Sequence, residues 1–192
     1  SESNEAYFAH TAGLRVVSCS NAADAYWMIQ QAIETDDPVI FFEPKRRYHE
    51  RGETEIDEGG APDLGLYDAR VVREGRDATL LCYGPMVKTC LQAAAAAEEE
   101  GRSLEVIDLR SLSPLDLPTI TASVRKTGRA VIVTEAPRTV HLPVLIISAN
   151  AYSIDHRRAS ELGVRRILSK PPEIPELQRA LADALSAGGP AA

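Results

Sequence analysis

An α/β fold built on a mostly parallel, doubly wound sheet is what this 192-residue sequence predicts. Three observations predict it. Between Arg76 and Thr134 the pattern runs strand, helix, strand, helix, strand. The strand-like runs DATLLCYG, LEVIDL and AVIVT are nearly continuous in apolar residues, as strands covered on both faces require. The segments between them carry apolar residues at helical spacing and have recognisable ends.

Taken in order, LRVVS (Leu14 to Ser18) reads as a strand, and Ser20 as the N-cap of a helix with Ala22, Ala25, Tyr26, Ile29, Ala32 and Ile33 on one face. Asp36-Asp37-Pro38 stops that helix, and VIFFE (Val39 to Glu43) is the next strand. One strand-helix-strand unit cannot cover both its faces, so residues 1–43 are expected to end a larger domain that began upstream; the opening Ser1, in place of Met, agrees with that. Residues 44–65 are charged, Gly- and Pro-bearing and aperiodic, as in a linker. Within them Lys45, Arg46 and Arg47 invite an anion-binding role. Glu50, Glu53, Glu55, Asp57 and Glu58 follow closely, however, and a solvated charged segment is expected.

YDARVVREGRDATLLCY is predicted to be a hairpin turning at Glu74 to Arg76. The next helix turns Met86, Val87, Cys90, Leu91 and Ala94 inward. Asp116 then stands before a helix with Pro118 in its first turn and Leu117, Ile120 and Val124 inward, and Gly128 closes it. After Val140 come a strand, PVLIIS (Pro143 to Ser148), and a helix capped by Ser153 through Ile154, Ala159 and Leu162, ended by Gly163. A strand VRRIL, a helix from Pro175 through Leu177, Ala180, Leu181, Ala184 and Leu185, and a frayed tail over 188–192 complete the chain. Only eight residues, Glu135 to Leu142, separate AVIVT from PVLIIS, whereas parallel neighbours need a crossover of about a dozen or more. Either the second strand is antiparallel, or the crossover lacks a helix, or the two halves do not share one sheet.

The formal charge of −7 argues against nucleic acid, which needs a basic face. No apolar run approaches the ~20 residues that span a bilayer. Cys19, Cys82 and Cys90 lack metal or redox spacing and sit in apolar runs, so buried reduced thiols in a cytoplasmic protein are expected.

From Ser1 to about Val140, the phrases EAYFAHTAGLRVVS, AIETDDPVIFFEPKRRY, YGPMVKTCLQAA, LEVIDLRSLSPLD and KTGRAVIVTEAPRT resemble the β subunit of the thiamine-diphosphate-dependent 2-oxo acid dehydrogenase E1 component. FFEPKRRY looks more like the branched-chain (2-oxoisovalerate) type than the pyruvate type. The resemblance implies that residues 1–43 are the C-terminal part of a pyrimidine-binding domain and 66–140 the first part of a transketolase C-terminal-like domain. It implies an oligomer with an α subunit holding most of the thiamine diphosphate and Mg²⁺ contacts, and acyl transfer to a lipoyl-bearing E2 after decarboxylation. The family's catalytic histidine would fall just before Ser1 and its cofactor-activating glutamate further upstream. No catalytic or cofactor-binding residue is therefore assigned, and the chain alone is expected to be inactive. One family site carries over in part: a monovalent cation, usually K⁺, at the end of the first helix, at Ala32, Thr35 and Asp37. His10 fits the family's FAH phrase, with a structural role beside Tyr7 and Phe8 expected. His49 and His156 look like surface residues, and His141 carries no assigned chemistry.

From about His141 to Ala187 the sequence instead resembles the C-terminal half of a response-regulator receiver domain. Ser148 matches the receiver hydroxyl and Lys170-Pro171 the lysine and proline that follow the last strand, with Glu135 a conceivable acidic stand-in for the phosphate-accepting aspartate. Three functions are therefore carried forward: an E1 β-subunit fragment fused to a receiver half, a receiver-like signalling or docking module, and a joined product without evolved function.

Overall fold

The computed structural model describes residues 4–54, 64–135, 144–148 and 164–169, with Pro175 and Arg179 beyond them. A short helix α1 (Glu5–Ala9) precedes β1 (Arg15–Ser18), helix α2 (Ala22–Glu34) and β2 (Val39–Phe42). β2 lies parallel to β1, Arg15 opposite Val39. Val16 and Val17 point to opposite faces of β1 and are both fully buried, so this strand is covered on each side.

Two details of α2 differ from expectation. Its N-cap is Asn21, whose side chain accepts the Asp24 N–H at 2.8 Å; Ser20 is drawn elsewhere, as described below. Its inward stripe is Ala25, Met28 and Ala32, against Val17, Cys19 and Leu66, with Met28 fully buried. That stripe leaves Ile33, expected inside, 76% exposed.

After a single 3₁₀ turn (Lys45–Arg47) come β3 (Arg70–Arg73), β4 (Ala78–Cys82), helix α3 (Met86–Glu99), β5 (Leu104–Asp108), β6 (Ser111–Ser113), helix α4 (Leu117–Thr127), β7 (Ala130–Thr134), β8 (Val144–Ser148) and β9 (Val164–Ser169). Six of these strands form one sheet in the order β3-β5-β4-β7-β8-β9, parallel except for β3. Helices cover both faces. Leu80, Cys82, Leu104, Val106, Val131 and Val133 meet α3 through Met86, Val87, Cys90, Ala93, Ala94 and Ala97. On the other face Leu81 and Ile107 pack with Ile120 of α4. Each fully buried side chain of this size contributes about 1.5–3 kcal/mol, so these two layers carry much of the fold.

α4 begins and ends as its sequence predicts, with Asp116 accepting Thr119 N–H at 3.1 Å and Gly128 left-handed at φ 71°. Leu117, expected inward, is 60% exposed because it opens the helix before the face that carries Ile120 turns onto the sheet.

The hairpin does not form. β3 pairs antiparallel with β5, Arg70 opposite Asp108, and β5 separates it from β4. Gly75 makes this possible: the chain passes so close over the start of β5 that a Cβ there would collide with the backbone of Leu104 and Glu105. β6, just after β5, leaves the large sheet and pairs antiparallel with β1, giving a second sheet in the order β2-β1-β6.

β8 lies parallel to β7 in the same sheet, Leu145 opposite Val133, so neither the antiparallel nor the separate-sheet alternative holds. Nine residues, 135–143, make the connection. Fully extended they reach ~30 Å, ample to return along a five-residue strand of ~17 Å. The helix predicted from Ser153 and most of the one from Pro175 lie outside the described residues; Pro175 and Arg179 are helical, with Arg179 Nε donating to Pro175 O at 3.3 Å.

Gly75→Ala places its methyl against backbone that cannot move aside. A loss on the order of 3 kcal/mol is expected in urea unfolding; a cost under about 0.5 kcal/mol would overturn the close crossing.

Candidate functional site

A charged side chain on the buried face of a helix has to find partners. Asp24, four residues before Met28 and so on the same face of α2, is 2% exposed. Arg70 of β3 grips its carboxylate from two nitrogens, Nη2 on Oδ1 at 2.9 Å and Nη1 on Oδ2 at 3.1 Å. Asn21 Nδ2 donates to Oδ2 at 2.6 Å. Arg110, 1% exposed, brings Nε to 3.4 Å from Oδ1, a charge contact without hydrogen-bond alignment. Its Nη1 donates instead to the carbonyls of Gly65 (2.9 Å) and Asp68 (2.7 Å). Burial lowers the Arg110 pKa from its ordinary value, while Asp24 pulls it back up. The Arg110 backbone sits at φ 54°, in the left-handed region, and its carbonyl accepts Ser18 N–H at 2.8 Å.

Asp108, at the end of β5, completes the cluster. Ser20 Oγ donates to its Oδ2 at 2.5 Å, across 88 residues, and Arg110 N–H to its Oδ1 at 3.1 Å. Ser20 therefore serves this contact instead of capping α2. The Asp108 pKa is pushed up to about 6 from 3.8, chiefly by burial and further by Asp24, against the lowering pull of Ser20 and Arg110. At one register level the cluster ties the small sheet to the large one.

Above the cluster opens a cleft of about 360 Å³ between the start of α2 and residues 43–52. Cys19, Ala22, Ala25 and Pro44 form apolar wall, and Glu43, Arg47, Tyr48, Glu50 and Arg51 bring polar groups. Tyr48 Oη donates to Glu43 at 2.9 Å, and Arg47 pairs with Glu50 at 2.8 Å.

Against known families, the transketolase pyrimidine-binding domain matches residues 1–50 and the transketolase C-terminal domain residues 68–158. The chain is built from transketolase-type domains. The C-terminal match crosses the Val140–His141 joint and takes in residues 141–158 of the stretch likened to a receiver. Over 136 residues the chain is 57% identical to a pyruvate dehydrogenase E1 component subunit beta of Leifsonia xyli subsp. xyli, covering 71% of this chain and 40% of that protein. Over 141 residues it is 49% identical to a 3-methyl-2-oxobutanoate dehydrogenase subunit beta of Mycobacterium tuberculosis, covering 73% and 40%. The chain thus spans about two fifths of the length of these curated relatives. Its homologues are E1 β subunits of 2-oxo acid dehydrogenases. A split-gene transketolase, described as an inactive beta4 tetramer, has a TM-score of 0.63 at 20% identity, over 95% of this chain and 61% of that one; it shows the shared fold.

Within this transketolase-type framework the cation positions lie together at the end of α2. Ala32 packs half-buried on the Met28 cluster, Thr35 is the C-cap with its N–H on Gln31 O at 3.2 Å, and Asp37 follows. The Asp37 carboxylate is occupied by Arg15 Nε at 2.8 Å, and Thr35 Oγ1 accepts Asp37 N–H at 3.3 Å. Among the described residues no three His, Cys, Asp or Glu stand close enough to hold a metal.

Glu135 pairs with Arg46 at 3.2 Å, so the basic cluster is answered partly by the large sheet and not only by the acidic residues that follow it. His10 and His49 are exposed, Tyr7 is 76% exposed, and the Phe8 ring meets that of Phe42 at a 56° tilt, 5.9 Å between centroids. Cys19, Cys82 and Cys90 are free and buried. Ser148 ends β8, while His141, His156, Lys170 and Pro171 lie outside the described residues.

The Asp24, Arg70, Asp108 and Arg110 cluster was not anticipated, although a carboxylate at helical spacing from Met28 was a usable signal. Asp24→Asn leaves two arginines without their shared counter-charge. It is expected to cost about 3–5 kcal/mol in urea unfolding, and an effect below about 1 kcal/mol would remove the cluster from its joining role.

Folded Asp108 binds its proton more tightly than the unfolded chain does. This group's stabilisation is therefore full below about pH 3.8 and is lost as pH rises through about 6. The urea midpoint of the parent should accordingly fall relative to that of Asp108→Asn between pH 4 and pH 7 (about three units apart). A pH-independent gap between the two would contradict it.

Proposed function

We propose that the chain is a β-subunit portion of a branched-chain 2-oxo acid dehydrogenase E1, acting in the cytoplasm with an α subunit that carries most of the thiamine diphosphate and Mg²⁺ contacts. The assembled E1 decarboxylates the 2-oxo acid and passes the acyl group to a lipoyl-bearing E2. The observation that supports the E1 β-subunit reading is the unbroken run of β-subunit phrases, 57% identical to a pyruvate dehydrogenase E1 β subunit and 49% identical to a 3-methyl-2-oxobutanoate dehydrogenase β subunit. FFEPKRRY supports the branched-chain choice over the pyruvate type. The residues of this chain give the complex a scaffold: the two-sheet unit and the clamp on Asp24. K⁺ on the carbonyls of Ala32, Thr35 and Asp37 belongs to the same proposal.

A receiver-like signalling role draws on the resemblance after His141 alone. Glu135, its stand-in acid, is paired with Arg46.

The purified chain, supplied with thiamine diphosphate, Mg²⁺ and 3-methyl-2-oxobutanoate, is expected to release no CO₂ by itself and to co-elute with a branched-chain E1 α subunit on size exclusion. CO₂ release by the chain alone, or failure to bind α, defeats the proposal. An acid-labile phosphate after incubation with acetyl phosphate and Mg²⁺ would favour signalling instead.

A further inference from the structure

The cleft beside α2 has no part in what has been proposed so far. Its 360 Å³ falls within the range of small-molecule sites. The carboxylates in its wall are already engaged. Glu43 accepts the Tyr48 hydroxyl at 2.9 Å, and Glu50 is shared by Arg47 Nη2 at 2.8 Å and Lys88 Nζ at 3.1 Å. Two guanidiniums keep capacity in reserve. Arg47 is 16% exposed, and its Nε is buried without a hydrogen-bond partner. Arg51 is exposed and makes no ion pair among the described residues.

A buried donor without an acceptor costs about 1–3 kcal/mol, recoverable when an acceptor arrives. A small torsion of the Arg47 guanidinium would offer Nε and Nη2 side by side, the fork that matches a carboxylate. Arg47 and Arg51 line the cleft beside Glu43 and Glu50, and Lys88 reaches Glu50 from outside the lining, so among the described residues the unspent capacity in the wall is that of donors, and an anion is what they would take. Beneath the cleft Asp24 is matched by Arg70 and Arg110 and offers an anion no open repulsive charge. The opposite wall is apolar, formed by Cys19, Ala22, Ala25 and Pro44. Burial raises the Cys19 thiol to about 12, so it stays a neutral surface.

The geometry points to a binding site for a small carboxylic acid with a short apolar tail, its carboxylate on Arg47 and Arg51 and its tail against Ala22, Ala25 and Pro44. The assignment stands on the cleft alone and does not depend on the E1 function above.

The test is an NMR titration of the ¹⁵N-labelled full chain with 3-methylbutanoate, and separately with inorganic phosphate. Saturable shifts are expected at the Ala22, Arg51 and Gly52 amides and at Arg47 Nε–H with 3-methylbutanoate. Arg51→Gln should weaken binding about tenfold, as loss of one charge-assisted hydrogen bond implies. Arg47→Lys keeps the charge toward Glu50 but removes Nε–H, and should weaken binding to a similar degree. The amide dispersion of each variant reports whether it is folded; if Arg47→Lys is not, Arg51→Gln decides. Absence of saturable shifts, or unchanged affinity in a folded Arg51→Gln, overturns the site. Phosphate binding as tightly as 3-methylbutanoate overturns the assignment of an apolar-tailed acid.

Discussion

The Asp24 carboxylate is the constraint on which the arrangement of the two sheets depends. It lies on the apolar face of α2, where an unpaired ion costs several kcal/mol, and its cationic partners come from outside the small sheet. Arg70 is on the antiparallel edge strand of the large sheet, and Arg110 just beyond the end of β5. In the observed docking of the sheets both reach the carboxylate. Arg110 in turn holds the carbonyls of Gly65 and Asp68, which fixes how the chain returns from the charged segment, and its left-handed backbone turns the chain toward β6. A buried pair of this kind adds little net stability over an apolar equivalent. Its effect is selective: a misplaced sheet would strand Asp24 in an apolar environment.

Glu105 plays a parallel part within the large sheet. It is fully buried in β5 on the face covered by α4, where the Lys126 ammonium contacts both it and Glu74. Lys126 stands in the last turn of α4, where a cation is also favoured by the helix dipole. A one-residue slip of β5 would turn Glu105 toward the all-apolar α3 layer, so its charge penalises the wrong register. Both helix-covered interfaces outside the α3 layer therefore contain a buried acid with a partner on another element, Asp24 in one and Glu105 in the other.

Much of this was legible in the sequence where information is local. Continuous apolar runs gave β4, β5 and β7, and Asp116 with Gly128 bounded α4, because period and capping depend on neighbours a few residues apart. Partner choice was not legible. Ser20 and Asn21 are equally good caps, and the decision between them is made by Asp108, 88 residues away. The hairpin expected at Glu74 to Arg76 fails because Gly75 lets the chain cross β5, and the gain is the contact of Arg70 with Asp24, which no local pattern contains. Thr35 and Asp37 lie together at a helix end, and the contact of Arg15 with the Asp37 carboxylate, across 22 residues, is another pairing that no local pattern contains.

The short connection after β7 follows the same logic. A parallel strand left at the edge of a sheet presents a row of unmet N–H and C=O groups, and β7 would be such an edge without β8. PVLIIS supplies a β-branched run able to satisfy that row, and VRRILS then pairs with it from Val164 opposite Val144 to Ser169 opposite Ser148. Backbone pairing of this kind is indifferent to the ancestry of the strand. Any segment meets the demand that offers an apolar strand, a second strand parallel to it and enough chain to return. The edge of β7 thus sets the place of β8, and the nine residues between them need only span the distance back.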